Sequence, residues 1–321
     1  MTEPELPRSE APRSEVPGSP ELPGWMGDVD PSQIGFPFAP DRTRYEKRIA
    51  IPYKETDRGP LHLDAYRPQS VERPPLVVMI HGGGWQRGGR FEMGLTRWAG
   101  WLASAGLAVV SIDYRLAPAT RYPDSFGDCL DALDWCVANQ DELGVDASRI
   151  ALWGDSAGGH LALLVATSQS RSQTPTRAAF PGPRLRLAAG ALRAVVAWYP
   201  PTDLEALHRA ESRAGAGAAG TVRAFVGVDP EADPARWRET SPIHQLHAGA
   251  PPTLVLQGTR DLLVPHAQAE SYAARARELG APCELHLVAG AVHGFERVAP
   301  GAEARAKIER CRDFLLEQLG A

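Results

Sequence analysis

The chain has 321 residues, of which 43% are hydrophobic and 23% are charged, and its formal net charge is −5. This length allows one large domain or two ordinary ones, and no basic excess indicates binding to nucleic acid. No apolar run approaches the roughly 20 residues that a membrane-spanning helix needs. The four cysteines are too few and too scattered for a disulfide scaffold, so we interpret them as buried thiols.

The amino-terminal segment differs in composition from the rest of the chain. Residues 1–24 carry six prolines and five glutamates, and they contain almost nothing apolar. Such a segment cannot bury enough surface to offset its ordering entropy, so we predict a disordered tail over residues 1–30. It also lacks the charged start and apolar stretch of a secretory signal peptide, and we therefore expect a cytoplasmic protein with one domain over residues 31–321.

Short apolar runs alternate with helical patterns beyond the tail. The alternating segment LHLDAY (61–66) predicts an antiparallel strand. Continuous runs that predict strands follow at 75–81, 106–114, 149–154, 192–200, 252–258 and 283–290. Helical spacing of apolar residues predicts helices at 124–142 and 266–279. This alternation predicts a mostly parallel α/β sheet, in which ligands bind beyond the carboxyl ends of the strands.

Two stretches interrupt the alternation. Residues 168–191 are polar and poorly periodic, which predicts a surface loop. Residues 202–247 are partly helical, broken by glycine and proline, and they follow the carboxyl end of a predicted strand. We therefore expect this second stretch to form a cap over the active face, joined by residues 31–50.

The segment ALWGDSAGGHLAL (151–163) passes abruptly from an apolar run into a helical pattern. Its centre, Gly154 to Gly158, fits the pattern G-x-S-x-G, which displays a serine hydroxyl on a sharp strand-to-helix turn. The alternative is a glycine-rich connection in which Ser156 only caps the helix. Its position after a buried strand and before a helix favours Ser156 as a nucleophile.

A second motif, His81-Gly82-Gly83-Gly84, ends the strand predicted at 75–81. Adjacent residues without side chains let several backbone N–H groups point into one space, as a developing oxyanion requires. The alternatives are a flexible glycine loop or a phosphate cradle. No Gly-Lys-Ser/Thr follows, which disfavours the phosphate cradle.

An acid and a histidine follow the last two predicted strands. Asp261 lies three residues past Gly258, and His293 comes just after the strand at 283–290. A serine hydroxyl needs an imidazole as its base, and the imidazole needs a carboxylate to fix its tautomer. Asp203 also follows a strand end and is the rival acid, but the predicted cap comes directly after it, so we expect it to anchor the first turn of the cap.

The other titratable residues near strand ends are interpreted as structural. Asp113 ends a strand, and the nearby Arg115 predicts an ion pair with it. Of the other histidines, His286 lies within a strand, His266 begins a helix and His160 points down the helix after the serine turn.

With these residues assembled, the chain resembles the α/β-hydrolase superfamily, and within it the hormone-sensitive-lipase-like and BD-FAE-like esterases. The motifs that carry the resemblance are HGGGW (81–85), DYRLAP (113–118), GDSAGG (154–159), YPPTDL (199–204), DLLVP (261–265) and HGF (293–295). The resemblance implies an eight-stranded, mostly parallel sheet with a helical cap and a serine hydrolase without a cofactor or metal. It implies Ser156 as nucleophile with Asp261 and His293 as its partners, and an oxyanion hole formed by the N–H groups of Gly83, Gly84 and Ala157.

Aromatic residues at two strand ends are candidates for the acyl-binding walls. Trp85 follows the glycine motif, and Trp198 and Tyr199 end the run at 192–200. The alternative for each is packing under the cap.

The function that these features predict is hydrolysis of carboxylic esters with small to medium acyl groups through an acyl-enzyme. An amidase, formamidase or peptidase would use the same triad, and so would a hydrolase or cyclase dedicated to one biosynthetic intermediate. A ligand-binding receptor on this scaffold would have a damaged triad, whereas here all three members are present. The expected partner is a small acyl substrate. The 168–191 loop is a candidate either for narrowing the pocket or for association into a homodimer.

Overall fold

An eight-stranded sheet runs through the part of the chain that the computed structural model describes, namely residues 38–91, 94–169, 187–213, 219–297 and 301–321. Its order is β1-β2-β4-β3-β5-β6-β7-β8, with only the first two strands antiparallel to their neighbours. The strands are β1 Tyr45–Lys54, β2 Leu61–Pro68, β3 Pro75–Ile80, β4 Ala108–Ile112, β5 Asp146–Asp155, β6 Leu192–Trp198, β7 Thr253–Gly258 and β8 Cys283–Val288. The predicted eight-stranded, mostly parallel sheet is confirmed.

The first strand has no counterpart among the predicted elements, and its position corrects the expected cap. Residues 45–50, which the sequence pattern assigns to the cap, belong to β1 at the edge of the sheet. Most side chains of β1 are exposed, so no apolar run marks it, and it is held by antiparallel pairing with β2 instead. The tail over residues 1–30 and the first residues of the expected cap lie outside the described ranges.

Helices cover both faces of the sheet. They are α1 Leu95–Ser104, α2 Asp124–Ala138, α3 Gln140–Leu143, α4 Ala157–Gln169, α5 Leu204–Arg213, α6 Ala219–Val226, α7 Pro234–Glu239, α8 Pro242–Gln245, α9 Ala267–Leu279 and α10 Ala302–Leu319. The helix predicted at 124–142 is divided between α2 and α3, and the one predicted at 266–279 is α9, with His266 at its N-cap. Most of the loop predicted at 168–191 lies outside the described ranges.

Two apolar cores lie on opposite faces of the sheet, because successive strand side chains point to opposite sides. Along β3, Leu76, Val78 and Ile80 pack in the first core, whereas Val77 and Met79 pack in the second. The first core also holds α2, α4, α9 and the inner residues of α5 to α7, and the second holds α1 and α10. Among the described residues, no helix is long and apolar enough to cross a membrane, and no cluster of potential ligands could hold a metal ion.

Candidate active site

The turn between β5 and α4 places Ser156 at the carboxyl end of the sheet. The backbone of Ser156 has φ 53°, and its N–H donates to the carbonyl oxygen of Trp198 at 2.8 Å. A Cβ atom on Gly158 would lie 2.0 Å from the Ile80 carbonyl oxygen, and one on Gly154 would lie 2.3 Å from the Gly158 carbonyl carbon. Only glycine fits these two positions, so the G-x-S-x-G spacing is a steric requirement of the turn.

The hydroxyl of Ser156 meets the imidazole of His293, and that imidazole meets Asp261. His293 Nε2 lies 3.0 Å from Ser156 Oγ, and His293 Nδ1 lies 2.7 Å from Asp261 Oδ2. Both His293 and Asp261 are buried. The other carboxylate oxygen, Asp261 Oδ1, accepts the backbone N–H groups of Leu263 and Val264 at 3.0 and 2.8 Å. The predicted serine, histidine and acid thus form one continuous hydrogen-bonded chain.

A buried amide, not singled out by sequence reasoning, supports the acid. Gln257, near the end of β7, donates its Nε2–H to Asp261 Oδ2 at 3.1 Å and also to the carbonyl oxygen of Val264 at 3.1 Å. The carboxylate therefore keeps its orientation through three donors besides His293. These donors hold the carboxylate in the orientation in which Oδ2 meets His293 Nδ1.

The three residues predicted to supply the oxyanion donors lie around one cavity. Gly83, Gly84 and Ala157 line the cavity that holds Ser156 and His293. Within the described part of the chain, none of these three N–H groups donates a hydrogen bond outside regular helix or sheet pairing. Ala157 is the first residue of α4, where a helix leaves its N–H groups without internal acceptors. The predicted oxyanion donors are therefore grouped beside the serine.

Trp85 lies where the sequence predicted an aromatic wall. It lines the cavity with φ 58°, and its ring stacks on Phe225 at 4.8 Å between centroids. Its indole Nε1–H donates to His160 Nδ1 at 3.2 Å, and His160 Nε2 lies 2.7 Å from the carbonyl oxygen of Thr240. His160, fully buried, is therefore a structural link between the loop after β3 and the end of α7.

The other two aromatic predictions were wrong. Trp198 is fully buried in the second core, where it packs on Trp98 and Trp153 and donates Nε1–H to Cys311 Sγ at 3.4 Å. Tyr199 is also fully buried and lies behind His293, with their ring centroids 4.4 Å apart. Neither residue lines the cavity, because both side chains are packed in the second core.

A buried charge cluster joins the glycine loop to the histidine loop. Asp155 Oδ1 accepts the N–H of Gly82 at 3.1 Å, and Asp155 Oδ2 lies 3.2 Å from Arg297 Nη2. Arg297 Nε lies 3.1 Å from Glu296 Oε1. Burial raises the pKa of Glu296. Burial alone would lower the pKa of Arg297, but the neighbouring carboxylates outweigh this effect and raise it. Asp155 lies inside the G-x-S-x-G motif and could have been singled out there, whereas nothing local marks Arg297.

The cavity has a volume of about 180 Å³ and is more apolar than polar along its walls. Several of its residues were missed by sequence reasoning, because they come from segments far apart in the chain. The lining residues beyond those already described are Arg87, Pro201, Leu207, Thr221, Leu263 and Val264. Leu207 of α5 and Thr221 of α6 come from the 202–247 insertion, so this insertion contributes walls above the serine.

The rival acid has the role that was expected of it. Asp203 Oδ1 accepts the N–H of Ala206 at 3.0 Å, and so caps the start of α5. It makes no contact with His293 in the described structure; its side chain lies 3.9 Å from His244 Nε2.

The ion pair predicted between Asp113 and Arg115 was wrong. Asp113 pairs with Arg90, whose Nη1 lies 2.6 Å from Asp113 Oδ2. Arg115 pairs with Asp128 of α2 through its Nε at 2.8 Å. His286 is half-buried beside Glu284, as expected of a residue without a catalytic contact.

The sequence matches the family model BD-FAE over residues 63–275. Esterase LipC of Mycobacterium tuberculosis is 31% identical over 303 residues, which cover 87% of this chain and 72% of that protein. An ethyl acetate hydrolase of Pseudomonas putida is 30% identical over 251 residues, covering 75% of this chain and 73% of that protein. Both relatives are named for ester hydrolysis.

The fold is similar to that of a solved carboxylesterase. EstE1, a thermophilic and thermostable carboxylesterase cloned from a metagenomic library, superposes with a TM-score of 0.67 at 28% identity. The superposition covers 85% of this chain and 89% of that one. The α/β-hydrolase fold inferred from the sequence motifs is confirmed.

Proposed function

The chain belongs to the BD-FAE family and is a carboxylesterase-type hydrolase, and from that premise we propose that Ser156, His293 and Asp261 are its catalytic triad. The observation that carries this proposal is the unbroken chain of contacts from Ser156 Oγ through His293 to Asp261, at 3.0 and 2.7 Å. A serine hydroxyl becomes a nucleophile near neutral pH only when a base of this kind can take its proton.

In the first step, Ser156 Oγ attacks the ester carbonyl carbon while its proton passes to His293 Nε2. Asp261 Oδ2 accepts a hydrogen bond from the Nδ1–H group and stabilises the imidazolium that forms. The carbonyl oxygen becomes an oxyanion, which accepts the N–H groups of Gly83, Gly84 and Ala157. Because these donors are fixed before the reaction, they need no reorganisation when charge develops.

Collapse of the tetrahedral intermediate breaks the bond to the alcohol oxygen, which takes the proton from His293. The acyl group remains on Ser156. A water molecule then gives its proton to His293 Nε2 and attacks the acyl carbon, and the second intermediate releases the acid and restores the Ser156 hydroxyl. The same imidazole thus acts alternately as base and acid, without a metal or cofactor in this scheme.

The helices of the 202–247 insertion form the proposed cap over this site, and they limit its size. Leu207 and Thr221 of this insertion line the cavity together with Ser156 and Trp85. A Cβ atom on Gly84 would lie 2.9 Å from Thr221 Cγ2, so the cap packs directly against the oxyanion loop. Walls this close to the nucleophile favour small to medium acyl groups.

The proposal is tested with para-nitrophenyl esters of increasing acyl length and the variant Ser156→Ala. We expect the highest kcat/KM for short to medium chains, and a loss of roughly 10⁶ in kcat in the variant, judging by serine-protease nucleophile substitutions. An organophosphonate should add once to the wild type, at Ser156. Labelling at another residue, or a Ser156→Ala variant that keeps its activity, would overturn the assignment.

A further inference from the structure

The charges around the cavity are unequally compensated. Asp155 and Arg297 face each other at 3.2 Å, and Glu296 provides Arg297 with a second carboxylate. Arg87 also lines the cavity, but its side chain is exposed. Within the described ranges, the Arg87 side chain takes part in no hydrogen bond or ion pair. Its positive charge at the cavity is therefore unpaired among the described residues.

Two half-buried arginines near the same strand ends do have carboxylate partners. Arg90 lies three residues later in the same loop and pairs with both Asp64 and Asp113. Arg115 pairs with Asp128. In a chain with a net charge of −5, acids are plentiful, yet the structure presents none to Arg87 among the described residues.

The position of Arg87 is fixed relative to the oxyanion donors. Its backbone N–H donates to the carbonyl oxygen of Gly83 at 3.2 Å, which closes one turn of the loop. A Cβ atom built on Gly83 would lie 3.1 Å from Arg87 Cγ, so the stem of the arginine packs on the oxyanion glycine. The arginine stem is therefore held beside the oxyanion loop, at the wall of the cavity that contains Ser156.

We propose that Arg87 binds a carboxylate carried by the substrate, so that the preferred substrates are esters with a free carboxylate close to the scissile carbonyl. This inference rests on the proposed function of the site. A guanidinium pairs with a carboxylate through two parallel hydrogen bonds, which makes it selective for that group. An anionic substrate would otherwise be disfavoured, because its charge repels the oxyanion that develops beside it. Arg87 offsets this repulsion from the edge of the same loop.

The carboxylate can belong to the acyl part or to the alcohol part of the ester, and two pairs of isosteric substrates distinguish these sources. Ethyl hydrogen glutarate and ethyl glutaramate differ only in a carboxylate or an amide on the acyl side. Para-acetoxybenzoate and para-acetoxybenzamide differ in the same way on the alcohol side. The measured quantity is the ratio of kcat/KM for the charged ester to that for its neutral partner.

We expect Arg87→Gln to lower this ratio by about tenfold for the pair whose carboxylate reaches the guanidinium, the size of a charge-assisted hydrogen bond. Arg87→Lys keeps the positive charge but lacks the planar guanidinium, so its ratio should lie between those of the wild type and Arg87→Gln. Added salt should lower the wild-type ratio by screening, and leave the Arg87→Gln ratio unchanged. Because each value is a ratio within one variant, a partial loss of folded enzyme cancels.

Arg193→Gln is the matched control, since Arg193 is exposed at the amino end of β6, on the side of the sheet opposite the cavity. It removes the same charge and should leave both ratios at their wild-type values. Equal ratios in wild type and Arg87→Gln for both pairs would overturn the inference, as would cleavage of para-nitrophenyl esters with no cleavage of either anionic ester. Ester cleavage that does not depend on Ser156 would contradict the proposed catalytic triad instead.

Discussion

The loops after β6 and β7 follow neighbouring strands, and each contains an aspartate that could orient a histidine. In the first loop, a carboxylate oxygen of Asp203 accepts the N–H of Ala206, so that Asp203 caps α5. In the second, two loop N–H groups occupy one oxygen of Asp261 and leave the other for His293. The local backbone therefore determines which of the two strand-end acids is available to orient a histidine.

The loop after β6 is held by packing and hydrogen bonds throughout. The N–H groups of Thr202 and Asp203 both donate to Gln268 Oε1, at 2.9 and 2.7 Å, and Thr202 Oγ1 donates to the Gln268 carbonyl oxygen at 2.7 Å. The N–H of Leu204 donates to Ser241 Oγ at 2.9 Å. This loop therefore anchors the insertion to the sheet, whereas the loop after β7 presents a functional group.

The largest expected effect separates the two acids. Asp261→Asn should lower kcat by roughly 10⁴, the size of the effect when the triad aspartate of a serine protease is changed to asparagine, because an asparagine stabilises the wrong imidazole tautomer. Asp203→Asn should leave kcat close to normal, since the asparagine oxygen can still cap α5. Steady-state kinetics with one para-nitrophenyl ester measure both values.

Circular dichroism of both variants controls for folding. An inactive but folded Asp203→Asn variant together with a nearly normal Asp261→Asn variant would reverse the comparison and remove Asp261 from the triad.

The strands were predictable where the chain buries them on both faces. PLVVMI of β3 is a continuous apolar run, and every residue in it is buried. β1, with the sequence YEKRIAIPYK, has the opposite character. It is largely exposed at the sheet edge, so it lacks the run of buried apolar residues that would predict a strand. Its position depends on backbone pairing with β2, which leaves no periodic signal in side-chain chemistry.

The same two-sided burial explains why some site residues could not be predicted. A strand that is apolar on both faces does not reveal which side chains point to which face, so Trp198 could not be assigned to the second core from its sequence. Ser156, His293 and Asp261 were predictable because chain order, strand ends and chemistry coincide. Arg87 lies in the loop of the glycine motif, but the sequence does not show that it lines the cavity. Arg297 reaches the cavity through tertiary contacts that no local motif encodes.

Trp198 and Trp85 should differ in whether they contribute to stability or to substrate preference. Trp198→Ala should lower the free energy of unfolding by about 3–5 kcal/mol, because a fully buried ring leaves a cavity in the second core. Its relative kcat/KM values across acyl lengths should stay as in the wild type. Trp85→Ala should instead shift the preference toward longer acyl groups, since Trp85 lines the cavity.

Chemical denaturation and the acyl-length panel together distinguish the two tryptophans. A change in acyl preference for Trp198→Ala, with none for Trp85→Ala, would mean that the end of β6 belongs to the substrate site after all.

The smallest expected effect concerns His160, which contacts the same segment that holds the loop after β6. Thr240 and Ser241 are consecutive: the carbonyl of Thr240 accepts from His160, and the hydroxyl of Ser241 accepts from Leu204. Because the Trp85 indole donates to Nδ1, the His160 imidazole is neutral with its proton on Nε2. Burial lowers the pKa of His160 from 6.5 to about 4, since a cation there would lose its hydration.

A pKa that is lower in the folded state than in the unfolded state makes stability depend on pH in one direction. The contribution of neutral His160 is complete above pH 6.5, and it is lost as the pH falls from 6.5 to about 4. For a shift of this size the loss is roughly 3 kcal/mol. His160→Gln keeps an acceptor for Trp85 and a donor for Thr240 but cannot take up a proton. Urea denaturation at several pH values should therefore show a shallower acid loss in His160→Gln than in the wild type, and equal slopes would mean that His160 is already free to ionise in the folded protein.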